Sequence, residues 1–240
     1  IMAYQRMDKE HPERVINDTL QYKHAIENHP YTTIFATHSH ADDIPFADEA
    51  VAASSPENEQ YPFPVFIMRQ DLPLKCGCIT FPQWFGKSFY RLSKNAIPFD
   101  RDDPNGFKKV LADIQEAYQN GHPVAVFPSG TRGELIVPQM FKSIAAYASV
   151  LKKSEKQAEK RGDGLYSKNC ALPLYMRYEG TTATATFGRP ISFKGLQPQE
   201  VAAGVFSQLS SFSDQNPEDH LTGRDRERFF RSSASLEQKI

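Results

Sequence analysis

Short runs of β-branched and aromatic residues recur along this chain, separated by helix-patterned segments, and that alternation restricts its fold more than any other feature. Tyr31 to Thr37, Pro64 to Met68, Pro123 to Phe127 and Ala171 to Met176 have the length and composition of buried strands. Asn95 to Phe99 and Thr182 to Phe187 read as further strands. Asn105 to Asn120 is a helix opened by an Asn and stopped by Gly121, and Pro138 to Lys153 and Gln199 to Ser211 are two more. This order predicts an α/β chain with a mixed, largely parallel central sheet covered by helices. With 17 Phe and 10 Tyr in 240 residues, burial can offset the entropy of folding, which excludes a chain disordered throughout.

Val15, Ile16, Leu20, Tyr22 and Ile26 recur at near-helical spacing and Pro30 closes the segment, so an amphipathic helix is expected over 9–28. Three regions follow: 1–30 as an N-terminal helix packed on the domain, 31–212 as the main domain, and 213–240 as a polar C-terminal helix or tail. The last carries Arg224, Arg226, Arg228 and Arg231 around Phe229 and Phe230.

The 28 Lys and Arg nearly balance the 29 Asp and Glu, so no global field attracts nucleic acid and an anionic ligand must meet a local cluster of cations. Cys76, Cys78 and Cys170 are sparse and odd in number, which points to a reducing compartment and a cytoplasmic chain. Two ordinary thiols beside a turn account for Cys76 and Cys78 better than a zinc site does. No stretch approaches the roughly 20 apolar residues that span a bilayer, and the mean hydropathy is −0.54. The opening Ile1-Met2 is no natural translation start, so an upstream anchor is an open expectation.

Thr37-His38-Ser39-His40-Ala41-Asp42 follows the first strong strand and places two imidazoles and a carboxylate within six residues, with Asp43 next. As ordinary loop residues they would need no partners, but two chemistries compete with that reading. In one, His38, His40 and Asp42 alternate as metal ligands; the hexapeptide resembles the metallo-β-lactamase superfamily, except that Asp43 stands where a further histidine should follow. Of the other histidines, His122 lies well downstream, without ligand spacing around it. In the other, His38 pairs with Asp43. On a continuous helix positions i and i+5 sit roughly 140° apart, so the segment must turn first. Pro45, tolerated in a first helical turn, puts Asp43 near a helix N-terminus from which it can accept the Nδ1 proton of His38. Nε2 is then free to take a proton from an alcohol, the general-base half of a triad without the serine.

Three more blocks follow in order: Ala96-Ile97-Pro98-Phe99-Asp100-Arg101, Phe127-Pro128-Ser129-Gly130-Thr131-Arg132 and Leu172-Pro173-Leu174. Together with His38-x-x-x-x-Asp43 they resemble the four blocks of the glycerolipid acyltransferase family, the 1-acylglycerol-3-phosphate and glycerol-3-phosphate acyltransferases. Arg69 to Leu72 and Phe187 to Ile191 also look like connecting segments of that family, and the match runs from residue 31 to about 195.

The resemblance implies an acyltransferase-like fold over 31–212 and transfer of a fatty acyl group from a thioester, on coenzyme A or acyl carrier protein, to a hydroxyl of a phosphate-bearing glycerol lipid. It implies no cofactor beyond that co-substrate and no metal. His38 and Asp43 would be catalytic, and Arg101, Ser129, Gly130, Thr131 and Arg132 would bind the acceptor phosphate, since a planar guanidinium grips two phosphate oxygens at once. Ser129 stands where the acylglycerol-phosphate branch usually has glutamate, and Pro-Ser-Gly is closer to the soluble glycerol-3-phosphate acyltransferases, so a lysophospholipid and glycerol phosphate both stay open as acceptors.

Phe81, Trp84, Phe85 and Phe89 lie at i, i+3, i+4 and i+8 of a helix expected over 82–92, either as core or as an interfacial stripe that brings the enzyme to a membrane surface. Lys152 to Arg161 is a solvated helix end or a headgroup contact. A zinc hydrolase and a non-catalytic lipid-binding module are the competing functions.

Overall fold

The four strongest apolar runs become four adjacent strands in the middle of one sheet. The structure, a computed structural model, describes residues 13–38, 43–55, 63–69, 75–76, 79–80, 96–99, 106–130, 136–158 and 165–239. In chain order the elements are β1 (Glu13–Asn17), α1 (Thr19–Asn28), β2 (Tyr31–Ala36), α2 (Asp43–Ser54), β3 (Val65–Arg69), β4 (Lys75–Cys76), β5 (Ile79–Thr80) and β6 (Ala96–Phe99). Then come α3 (Gly106–Gln119), β7 (Val124–Val126), α4 (Pro138–Ala158), β8 (Asn169–Glu179), β9 (Thr182–Phe187), β10 (Ile191–Ser192), α5 (Pro198–Phe212), α6 (Pro217–His220) and α7 (Gly223–Glu237). The main sheet has the order β1-β9-β8-β2-β7-β3-β6, with β10 also paired to β8, while β4 and β5 form a separate two-stranded ribbon. Among the described residues only β8 with β9 and β8 with β10 are antiparallel in the main sheet, so the fold is the mixed, largely parallel α/β sheet that the alternation predicts.

Successive strand residues point to opposite faces, and here both faces are covered, which is why the runs are apolar without a break. Phe35, Val124, Val126, Ala171 and Tyr175 join the core beneath α3, α4, α5 and α7. Ile34, Ala36, Ala125, Leu172, Leu174 and Met176 join the core on the opposite face, with Tyr22 and Ala25 of α1 and Phe46, Ala47, Ala50 and Val51 of α2. Neighbouring strands of the sheet therefore feed opposite layers: β2 leads into α2 on one face and β7 leads toward α4 on the other. Their carboxyl ends are neighbours, since Phe35 pairs with Val126. Adjacent parallel strands whose connections part in this way leave a crevice at their carboxyl ends, the usual ligand site of open α/β sheets.

A buried polar ring fixes the other end of β2. Thr33 Oγ1 donates to Asn169 Oδ1 at 3.0 Å and lies 2.6 Å from the Tyr118 hydroxyl, which accepts from Asn169 Nδ2 at 2.9 Å and lies 3.0 Å from the Tyr147 hydroxyl. One orientation satisfies every contact: Tyr147 donates to Tyr118, Tyr118 to Thr33 and Thr33 to Asn169. Burial raises the pKa of both phenols, so the ring holds neutral donors and ties β2, β8, α3 and α4 together.

One segment differs from the expectation, and a second takes the first of the two forms expected for it. The helix expected over 9–28 starts only at Thr19; residues 13–17 are a strand in parallel register with β9, Glu13 opposite Thr182 and Asn17 opposite Thr186. Arg14 pairs with Glu49 of α2 and lies 5.5 Å over the Phe46 ring, and Asp18, at φ 57, turns the chain into α1. An unpaired edge of β9 thus overrides a helical spacing. The C-terminal segment docks as α7: Phe229 packs against Phe141 and Phe206, both at 6.0 Å, and Lys142 meets Asp225 at 2.8 Å. Beyond α7, Lys239 reaches Glu200 at 2.7 Å. Burial works to raise the Glu200 pKa, but hydrogen bonds from Lys239, Ser235 and the Gln197 N–H outweigh it and the net shift is downward. The aromatic helix expected over 82–92 lies outside the described residues.

The Leu172-Pro173-Leu174 and Phe187 to Ile191 blocks meet at one irregularity. Phe187 pairs with Leu174 and Ile191 with Ala171, so three residues of one strand oppose two of the other. Proline fits at Pro173 because its missing N–H faces this bulge, while its carbonyl accepts the Gly188 N–H at 2.8 Å. Gln208 closes the bulge from α5, accepting from the Arg189 N–H at 2.7 Å and donating to the Arg189 carbonyl at 3.1 Å. A Cβ on Gly188 would lie 2.6 Å from Gln208 Oε1 and 2.9 Å from Pro173 Cβ. Gly188→Ala is expected to lower stability by about 1–3 kcal/mol, the usual range for overpacking, as read from chemical denaturation; unchanged stability would show that the bulge relaxes without cost.

Candidate active site

Thr37 ends β2 in an unusual way. Its N–H donates to the Leu174 carbonyl at 3.0 Å, as a strand residue should, but its side-chain Oγ1 then accepts the Met176 N–H at 2.7 Å and donates to the Met176 carbonyl at 3.1 Å. The next residue is His38. Its Nδ1 lies 3.0 Å from Asp43 Oδ2, with the His38 side chain 14% exposed and Asp43 fully buried. Asp43 is the first residue of α2, where the helix N-terminus favours negative charge, and Pro45 sits in the first turn as the sequence requires. A carboxylate only accepts, so Nδ1 carries the hydrogen and Nε2 presents a lone pair. The Phe127 ring lies tilted against the imidazole with centroids 4.5 Å apart, and Phe66 stacks on Phe127 at 6.0 Å and 8°. Hydrogen bond and ring contact together fix the plane and the tautomer of His38.

Phe127 ends the neighbouring strand and starts a tight turn. The Gly130 N–H donates to the Phe127 carbonyl at 3.1 Å, Pro128 takes the turn position that suits its fixed φ, and Gly130 has φ 69, where a side chain would strain the backbone. Ser129, in this turn, is buried. The structure thus brings His38, Asp43 and the Phe127–Gly130 turn to two adjacent strand ends. Arg101, Thr131 and Arg132 lie outside the described residues. The last described residue before Arg101 is Phe99, at the end of β6, three strands from β2 and so about 14 Å across the sheet.

Among the described residues no group of three His, Cys, Asp or Glu is placed to share a metal ion. His40 and Asp42, the other two members of the metal-ligand reading, are outside the described residues. His122 stands at the start of β7, at the opposite end from Phe127, where Nδ1 lies 3.2 Å from the Phe63 carbonyl and the ring stacks on Phe63 at 4.3 Å. It is held by Phe63 and is remote from His38. Cys170 is buried beside Thr32 with its thiol pushed up to about 12, which makes it unreactive. Lys152, in the basic run, donates to Gln197 at 2.7 Å and lies over the Tyr166 ring. Among the described residues no helix is long and apolar enough to cross a membrane.

Two residues of the site were not legible as such. Phe127 reads as the end of an apolar strand, and nothing local tells that its ring contacts an imidazole. Thr37 reads as one more β-branched residue, because its partner is 139 positions away.

No family model and no curated protein matches the chain. Among solved structures it is similar to the 1-acyl-sn-glycerophosphate (LPA) acyltransferase PlsC from Thermotoga maritima, with 16% sequence identity over 85% of this chain and 73% of that one and a TM-score of 0.43.

The Asp43 contact is testable directly. Nitrogen-15 spectra of the imidazole at neutral pH are expected to show His38 protonated at Nδ1 and bare at Nε2, and Asp43→Asn is expected to shift the population toward the Nε2–H tautomer, since the amide N–H₂ can donate to Nδ1. A His38 signal unchanged by Asp43→Asn would show that the pair is not formed in solution.

Proposed function

We propose that the chain is a glycerolipid O-acyltransferase that moves a fatty acyl group from a thioester to a hydroxyl of a glycerol-phosphate acceptor. The observation that carries this reading is the 3.0 Å contact between His38 Nδ1 and a fully buried Asp43, held at the carboxyl end of a central parallel strand. The four ordered sequence blocks add the reaction class.

A thioester is already a reactive acyl donor, so no covalent enzyme intermediate is needed; the protein must bring the two reactants together and remove a proton. The acceptor hydroxyl oxygen attacks the thioester carbonyl carbon while Nε2 of His38 takes the hydroxyl proton. Asp43 remains ionised and stabilises the imidazolium. The tetrahedral oxyanion then collapses, the carbon–sulfur bond breaks and the leaving thiolate receives the proton from Nε2. An ester and a free thiol result, and the imidazole returns to its starting state.

Arg101 and Arg132 are assigned to the acceptor phosphate, with Ser129 and Gly130 in the turn beside the base and Thr131 assigned as a further hydroxyl donor. Burial of Ser129 suits a role in shaping that turn as well as one in contacting an anion. A lysophosphatidate is the first acceptor in this reading, and glycerol 3-phosphate is the alternative that the Pro128-Ser129-Gly130 pattern keeps open. Coenzyme A and acyl carrier protein are both candidate donors. Contact with a membrane surface follows from a lipid acceptor, and the cytoplasmic side is the one that the sparse cysteines favour.

Purified protein incubated with acyl-coenzyme A or acyl carrier protein, and in parallel with lysophosphatidate or glycerol 3-phosphate, is expected to release one thiol for each ester formed, as followed by thiol titration and mass spectrometry. Free fatty acid without ester, suppressed by a chelator, would instead identify a metal-dependent hydrolase. Binding of lipid with no ester from any donor would identify a non-catalytic module.

A further inference from the structure

We infer that Thr37 is a positioning residue for His38, and that its hydroxyl releases the chain from the sheet at the point where the base must stand. This inference rests on His38 being the base.

In a parallel pair, each strand alternately donates and accepts along the ladder. The ladder of β2 against β8 runs regularly up to the Thr37 N–H, which bonds to the Leu174 carbonyl. The regular next step would be the Met176 N–H donating to the backbone carbonyl of Thr37. The side chain stands in that place: Met176 N–H donates to Oγ1 at 2.7 Å, and Oγ1 returns its own hydrogen to the Met176 carbonyl at 3.1 Å. Thr37 is fully buried, so Met176 has no water to bond instead.

The exchange has a specific consequence. With the slot on Met176 filled by a hydroxyl, the Thr37 carbonyl is not held in the ladder, and the peptide joining Thr37 to His38 can leave the strand direction. That orients the imidazole toward Asp43 and against Phe127, both of which lie off the β2 ladder. A side chain of the same shape without a hydroxyl leaves the Met176 N–H buried and unpaired, a cost avoided if the carbonyl of residue 37 rotates in to accept it. β2 then lengthens by one step and His38 is turned away from Asp43. A displacement of about 1 Å at a reacting group is enough to lower a rate by about 10²-fold.

The test compares Thr37→Val and Thr37→Ser with the unaltered protein and with His38→Ala, reading kcat and KM for acyl transfer, the His38 Nδ1–H proton resonance, and Tm. Thr37→Val is expected to lose the resonance and about 10²-fold in kcat with KM little changed, while Thr37→Ser, which keeps the hydroxyl, retains both. If Thr37→Val does not fold, Thr37→Ala is read in its place. A lower Tm with resonance and kcat intact would overturn the proposal, because the hydroxyl would then support only the sheet. Equal losses in Thr37→Ser and Thr37→Val would overturn it too, because the hydroxyl would not be the determinant. Full activity in His38→Ala would refute His38 as the base, and the resonance would still decide whether Thr37 orients that ring.

Discussion

A strand buried on both faces can leave its sheet only where every backbone group it abandons finds another partner. β2 is such a strand, with β7 on one side and β8 on the other and a helical layer over each face. At its amino end the ring of Thr33, Asn169, Tyr118 and Tyr147 holds it against β8 and two helices. At its carboxyl end the hydroxyl of Thr37 takes over from the backbone. Between these two polar clamps the strand is apolar, and its register cannot slip by one residue without exchanging Ile34 and Ala36 with Phe35 across the sheet. The rigidity of the strand end that carries His38 comes from there.

The site uses this fixed end economically. Four residues separate His38 from Asp43 in sequence, yet one ends the strand region and the other begins a helix, so a short connection places an imidazole against a carboxylate that the helix start stabilises. The neighbouring strand adds Phe127 against the ring and then turns sharply at Pro128 to Gly130 toward the opposite layer. An imidazole at one strand end and a tight turn at the next stand side by side, an arrangement that suits the proposed acyl transfer, in which two reactants must meet.

The inner strands were legible because burial on both faces leaves an unmistakable apolar run, and the His38 and Asp43 pair was legible because Pro45 demanded a break where a continuous helix would have kept them apart. β1 was not, since Val15 and Ile16 suit a strand and a helix face equally and only the free edge of β9 decides between them. The C-terminal helix was legible as a helix but not as a docked one, because Phe229 is anchored by Phe141 and Phe206 from elsewhere in the chain. The contacts of Thr37 and Phe127 were not legible for the same reason: what each does depends on a partner across the sheet, not on its neighbours in sequence.

In the proposed reaction one imidazole, fixed by strand, carboxylate and ring, removes the proton that lets a hydroxyl attack a thioester. The single-turnover rate of acyl transfer in His38→Ala, on protein whose Tm matches the unaltered chain, reports on that proton transfer. A fall of about 10²–10⁴-fold is expected, the range of a lost general base, with acceptor binding retained. A folded His38→Ala protein that transfers the acyl group at an undiminished rate would contradict it.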